Sequence, residues 1–264
     1  QALIADVKKQ PLAAGVLRAI PRLLQLNLID PNMTVNFFAG YDLKIGQLGA
    51  IITQILALPG SENTDAAKLI SAIQNILQFN QELNVDNIIT QIQAANPSAQ
   101  FTLNDVSDIL QALRSMNMVG ERAVNVLAGI KALALPATFD VTPGNQVNAV
   151  VFILQALNGI KSINNDQAQL VIQRVQEFGL MGTEAFDFMR ALCAIPNVSG
   201  TQIVGIVNDL NAVKAKLGTN LTTAGLVAIA QIMQKMPSNT NVQDVMKMIK
   251  NLMNLPGFTG AEVS

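Results

Sequence analysis

Apolar residues recur along this chain with the period of an α-helix. Val147, Val150, Val151, Leu154 and Leu157 occupy i, i+3, i+4, i+7 and i+10, the spacing that lines one side of a 3.6-residue turn. Ile203, Ile206, Val207, Leu210 and Val213 repeat that spacing, as do Val242, Val245, Met246, Ile249 and Leu252. Each series predicts one stripe buried against a neighbouring element. No run alternates apolar and polar residues over the length of a strand, and the β-branched stretch 149–153 is absorbed into the helical pattern on either side. The chain therefore reads as all-α, with no strand predicted.

Capping chemistry marks where helices begin. A hydroxyl accepts from an orphan N–H while a side chain three residues on reaches back to the backbone. The matching quartets are Thr102 to Asp105, Ser199 to Gln202, Thr240 to Gln243 and Thr259 to Glu262. Pro59, Pro97, Pro136, Pro196, Pro237 and Pro256 mark the stops, because proline cannot continue a helix. Between these signals lie predicted helices near 11–27, 43–57, 63–80, 85–95, 102–117, 120–134, 144–162, 165–179, 183–194, 200–216, 221–236 and 241–254, the first kinked at Pro21.

Overlaying the turns exposes a longer repeat. Leu135-Pro136, Ile195-Pro196 and Leu255-Pro256 lie 60 residues apart, and residues 195–203 resemble 255–263 position by position. Residues 144–151 match 200–207 at an offset of 56, the difference being four residues inserted after Pro136. The expected architecture is thus tandem three-helix units of about 60 residues, stacked as an α-solenoid or a layered helical bundle. The expected divisions are N-terminal helices at 1–57, a diverged unit plus an extra helix at 58–134, units at 135–194 and 195–254, and the start of a further unit or a tail at 255–264. An ordinary globular all-α domain with a duplicated segment is the alternative. The helix start at Thr259, with the chain ending at Ser264, suggests an unfinished array or an end that meets another copy.

Composition narrows the function classes. Asn and Gln number 47 against 35 Asp, Glu, Lys and Arg, and net charge is −1. The exposed faces must be largely neutral amides, without the positive field that draws phosphates, so nucleic acid is not an expected partner. Such surfaces also repel copies of themselves only weakly. The most apolar windows are interrupted by Gln, Asn or Thr and fall short of the roughly 20 apolar residues a span requires, so no membrane insertion is expected. The chain begins at Gln1-Ala2-Leu3 without an initiator Met, which reads as a processed or trimmed end.

Candidate chemistry is sparse. With no histidine in the sequence, Ser-His-Asp, Cys-His and Cys/His zinc sites are excluded, and no cofactor motif is present. Cys193, the single cysteine, lies in an apolar helical stretch and reads as a core residue rather than a nucleophile. Asp105 with Asp108, and Glu184 with Asp187, share helix faces suited to a divalent cation or an acid–base pair. First-turn capping explains Asp105 and Glu184 better. Met233, Met236, Met246, Met248 and Met253 cluster late in the chain. They suit an apolar groove or interface, although core filling accounts for most of them, and Met248 falls off the stripe and should face outward. Phe37, Phe38 and Tyr41, and Phe186 with Phe188, read as local anchors. Sequons at Asn32, Asn197 and Asn220 are candidate glycosylation sites, though a chain this rich in Asn produces such triplets by composition alone.

These observations lead to the expectation of a non-enzymatic structural or interaction protein, a helical-repeat block that assembles with itself or with another protein. The alternative is a carrier holding a lipid or other apolar ligand in an all-helical cavity, with the methionines as lining. Low charge, abundant amides and the Gln terminus lean towards an extracellular or particle-associated setting.

Overall fold

The computed structural model describes residues 88–118, 120–142, 144–238 and 240–252, together with positions 54, 55, 57–61, 72, 75, 76, 78 and 79. The helix expected at 11–27, most of those expected at 43–57 and 63–80, and the cap at Thr259 lie outside the described residues. What is described is mostly helical: α1 (Ile88–Ala95), α2 (Leu103–Ser115), α3 (Glu121–Ala132), α4 (Ala149–Asn158), α5 (Asn165–Glu177), α6 (Gly182–Cys193), α7 (Gly200–Leu217), α8 (Thr223–Gln234) and α9 (Val242–Leu252). A two-stranded antiparallel hairpin, β1 (Thr138–Thr142) and β2 (Asn145–Asn148), separates α3 from α4.

The chain forms two compact units, the first of residues 1–93, 100–111 and 119–121, the second of 94–99, 112–118 and 122–264. In the first, Thr102 and Asp105 form the expected reciprocal cap on α2: the Asp105 carboxylate accepts from Thr102 N and Oγ1, both at 2.8 Å, and Thr102 Oγ1 accepts from Asp105 N at 3.1 Å. Ile88, Ile89, Ile92, Val106 and Ile109 are fully buried.

In the second unit the packing follows one rule. α4 lies against α6, α5 against α7, α6 against α8, and α7 against α9. Alternate helices are therefore the principal neighbours. Their stripes fill the core: Ala168, Val171 and Val175 of α5, and Ile203, Val207 and Leu210 of α7, are fully buried. Connections are held in register by single polar contacts. Asn96, itself buried, donates through Nδ2 to the carbonyls of Leu135 (3.1 Å) and Pro136 (3.0 Å). Gly200 N donates to Lys161 O at 2.9 Å, and Asn197 Nδ2 donates to Ser238 O at 3.1 Å. These contacts span 39 to 41 residues, the length of two helices with their turns.

Two helix starts depart from the sequence reading. α5 carries a capping box on Asn164 and Gln167, which a search restricted to hydroxyl caps misses. α9 begins at Val242 with the Asn241 side chain accepting from Gln243 N at 3.1 Å, so Asn241 and not Thr240 caps it. The Ser199–Gln202 box on α7 is present as expected.

The hairpin corrects the expectation of no strand. Residues 144–148, read as the first turn of a helix, instead form a turn at Gly144 (φ +81°) followed by β2, and Val147 pairs with Phe139. Helix α4 starts only at Ala149, where Asn148 Oδ1 accepts from Val150 N at 2.9 Å. Two local features explain this. Thr138-Phe139-Asp140-Val141-Thr142 is a β-branched and aromatic run, and Pro143-Gly144 is a turn signal between it and β2. The match of 144–151 to 200–207 therefore joins a strand and a helix start to the first turns of α7.

Candidate functional site

The methionines singled out as candidates for a groove, an interface or core filling part company. Met233 on α8 and Met246 on α9 are buried in the core, Met236 is half-buried, and Met248 is 63% exposed. Met253 lies outside the described residues. Two further apolar side chains share the exposure of Met248: Ile232 of α8, at 62%, and Met181, the residue before α6, at 59%. Ile232 falls off the stripe of Leu226, Ile229, Ala230 and Met233, so its position was open to the same reasoning that singled out Met248. On α9 the stripe itself is incompletely covered, Val245 and Ile249 being only half-buried.

The side-by-side packing of α5 and α7 shows how this chain joins helices. Gln167 Nε2 donates to Thr201 Oγ1 (3.3 Å) and Arg174 Nε donates to Asn208 Oδ1 (3.0 Å), each contact spanning 34 residues. Lys214 Nζ donates to the Phe178 carbonyl at the C-terminal end of α5, where the helix macrodipole favours a cation. The partners advance together along both helices, so α5 and α7 run parallel. Between α3 and α5, Gln176 Nε2 donates to Gly129 O at 2.7 Å. Glu184 of α6 accepts from Thr223 of α8 at 2.9 Å. Neutral amides and hydroxyls supply most of these groups.

Aromatic side chains form a second assembly. Phe139 of β1, Phe152 of α4 and Phe186 of α6 form one aromatic cluster, with ring centres 4.8 Å (Phe139–Phe152), 4.2 Å (Phe139–Phe186) and 5.7 Å (Phe152–Phe186) apart. Arg190 lies over the Phe186 ring at 5.9 Å and pairs with Asp187 at 3.1 Å. Phe188 packs edge-on against Phe178 at 5.7 Å, so both residues of the Phe186/Phe188 pair act as anchors. Phe37, Phe38 and Tyr41 lie outside the described residues.

The carboxylates are committed to structural partners. Asp105 caps α2, Glu184 meets Thr223, Asp187 pairs with Arg190, and Asp108 also has a partner. Among the described residues no three Cys, Asp or Glu side chains come together as a metal-ligand set. Ion pairs Arg174–Glu177, Asp187–Arg190 and Asp244–Lys247 each join residues three apart on exposed helix faces, where such pairs contribute about 0.2–1 kcal/mol.

Cys193 closes α6, and burial pushes its thiol up to about 12 from the ordinary 9.0. A group held protonated in the folded chain binds more protons there than in the unfolded chain between those two values. Its contribution to stability is therefore intact below about pH 9 and lost as pH rises towards 12. Because thiolate and not thiol reacts, this upward shift makes the native cysteine less reactive than a free one. Ellman's reagent should modify Cys193 rapidly in 6 M guanidinium and scarcely at all in native buffer, which stopped-flow absorbance measures directly.

Of the sequons, Asn32 lies outside the described residues, Asn197 follows α6 with its amide bonded to Ser238 O, and Asn220 ends an exposed 3₁₀ turn between α7 and α8. No described helix is long and apolar enough to cross a membrane. No protein-family model, curated protein or solved structure matches this chain.

Proposed function

We propose that the chain is a non-enzymatic structural protein, a helical-repeat block whose neutral faces pack against copies of itself. The observation that carries this reading is the mode of helix association: alternate helices lie side by side, and amides and hydroxyls take part in most of the polar contacts between them, Arg174, Lys214 and Glu184 supplying the charged ones. The two last described helices, α8 and α9, present Ile232 and Met248 outward. A surface of this kind associates by apolar and amide contact, with little charge to repel a second copy.

On this reading the helices stack in two layers, α4, α6 and α8 in one and α5, α7 and α9 in the other. The turn-to-turn contacts give a two-helix step near 40 residues, close to the repeat length of two-helix solenoids. The 60-residue sequence repeat is one and a half such steps. It relates α4 to α7, α5 to α8 and α6 to α9, and so places equivalent helices in opposite layers. A carrier role draws less support, since Met233 and Met246 are spent on the core rather than on a lining.

Sedimentation velocity across a concentration series tests the proposal. Species larger than the 28.2 kDa monomer are expected to grow with concentration and to persist in 0.5 M NaCl, because contacts between neutral groups are not screened by salt. Ile232→Lys with Met248→Lys should shift the distribution back towards monomer. A chain that stays monomeric throughout and retains no protein partner would overturn the reading.

A further inference from the structure

The turn joining α7 to α8 exposes the side-chain amide of Asn220. Gly218–Asn220 is a single 3₁₀ turn, and Asn220 and Thr222 are both exposed. Leu221 between them is buried, with extended backbone (φ −94°, ψ 99°). Thr222 Oγ1 accepts from Gly225 N at 3.1 Å as the N-cap of α8, which leaves its hydroxyl proton free to donate. The triplet thus presents the Asn220 amide at the end of the 3₁₀ turn and the Thr222 hydroxyl two residues on, joined by the extended Leu221, ahead of the first helical residue, Thr223.

The second described sequon is built differently. Asn197 is exposed and Val198 buried, as at 220 and 221, but Asn197 Nδ2 donates to Ser238 O at 3.1 Å and its backbone is left-handed (φ +57°). Ser199 is locked in its capping box, donating to Gln202 Oε1 at 3.0 Å and accepting from Gln202 N at 3.3 Å. The Asn197 amide nitrogen and the Ser199 hydroxyl are thus both engaged in contacts of the fold.

From this contrast we infer that Asn220 is an acceptor for an N-linked oligosaccharide, and that the folded chain accommodates the sugar there without rearrangement. The donor is a lipid-pyrophosphate-linked oligosaccharide. Asn220 Nδ2 attacks the anomeric carbon, a C–N bond forms, and the C–O bond to pyrophosphate breaks. The lipid pyrophosphate leaves with the electron pair, and the amide gives up one proton to the transferase. The inference is independent of the assembly reading, but it has a consequence for it: the α7–α8 turn must remain solvent-facing in any assembly.

The three sequons fall on separate tryptic peptides, 23–44, 191–214 and 217–235. The full chain, secreted from mammalian cells, is expected to carry a glycan on peptide 217–235 in most molecules. Peptide-N-glycosidase treatment in labelled water should leave the isotope at position 220, and Asn220→Gln should remove one glycan from the intact mass without altering the thermal melt. An unmodified 217–235 peptide in the secreted protein overturns the inference. Should secretion fail, Asn32→Gln with Asn197→Gln translated in the presence of microsomes gives the same answer. A mobility shift reversed by endoglycosidase H supports Asn220, and absence of the shift overturns it.

Discussion

Phe186→Ala should cost about 3–5 kcal/mol of stability, the range for removing a large buried ring from a core that cannot collapse around the space. Phe186 is 2% exposed and touches both Phe139 and Phe152, so one side chain joins hairpin, α4 and α6. Calorimetry should record a midpoint lower by roughly 6–20 °C, taking about 2–4 °C per kcal/mol for a unit of this size. Phe139→Ala removes a half-buried ring and should cost less, about 1–2 kcal/mol. Amide exchange at β1 and β2 should nonetheless quicken in both variants. A Phe186→Ala protein that melts within a degree or two of the parent would show that the cluster does not hold the hairpin in place.

Gly200→Ala should be the second costly change, and for the opposite reason. A Cβ at position 200 would stand 2.7 Å from the Ile163 Cα, a backbone atom that cannot step aside, and would also run into Gln167 Oε1. That oxygen accepts from Asn164 N as half of the α5 capping box, while Gly200 N itself donates to Lys161 O. Overpacking of this kind costs about 1–3 kcal/mol, and the rigid neighbour places Gly200→Ala at the upper end. Gly205→Ala is the control within the same helix. Its Cβ would meet only the movable end of the Gln243 side chain, at 3.1 Å, and alanine favours a helix over glycine by roughly 0.5–1 kcal/mol. Denaturant unfolding of the two variants should therefore show shifts of opposite sign, or a loss at 200 with no change at 205. Equal losses would rule out the close approach at Ile163 as the cause.

The same residues show how far the sequence could be read. Gly200 was visible in the chain only as part of a capping motif and a repeat. Its role as the point where α7 passes over the turn before α5 depends on a neighbour 37 positions away. Phe186 was legible as an anchor because it sits on an amphipathic helix, but its partners Phe139 and Phe152 were not. The cluster exists only because the hairpin folds onto α4 and α6. The exposure of Met248, and of Ile232 by the same argument, follows from helical phase, because a residue roughly 100° from the centre of the stripe points away from the core.

What the sequence determined by itself is local: the helical character of the described residues from 88 to 252 outside 138–148, most helix limits, the capping boxes at Thr102 and Ser199, and the low charge. These follow from period, capping and composition, which act over a few residues. What the tertiary structure decided is which helices become neighbours, and that 138–148 pairs as strands. Helix stripes identify surfaces to be buried but not their partners, so the 60-residue repeat and the alternate-helix packing are both compatible with one pattern. In the hairpin, the pull of Phe139 into an aromatic cluster with Phe152 and Phe186 outweighs one turn of helical phase at Val147.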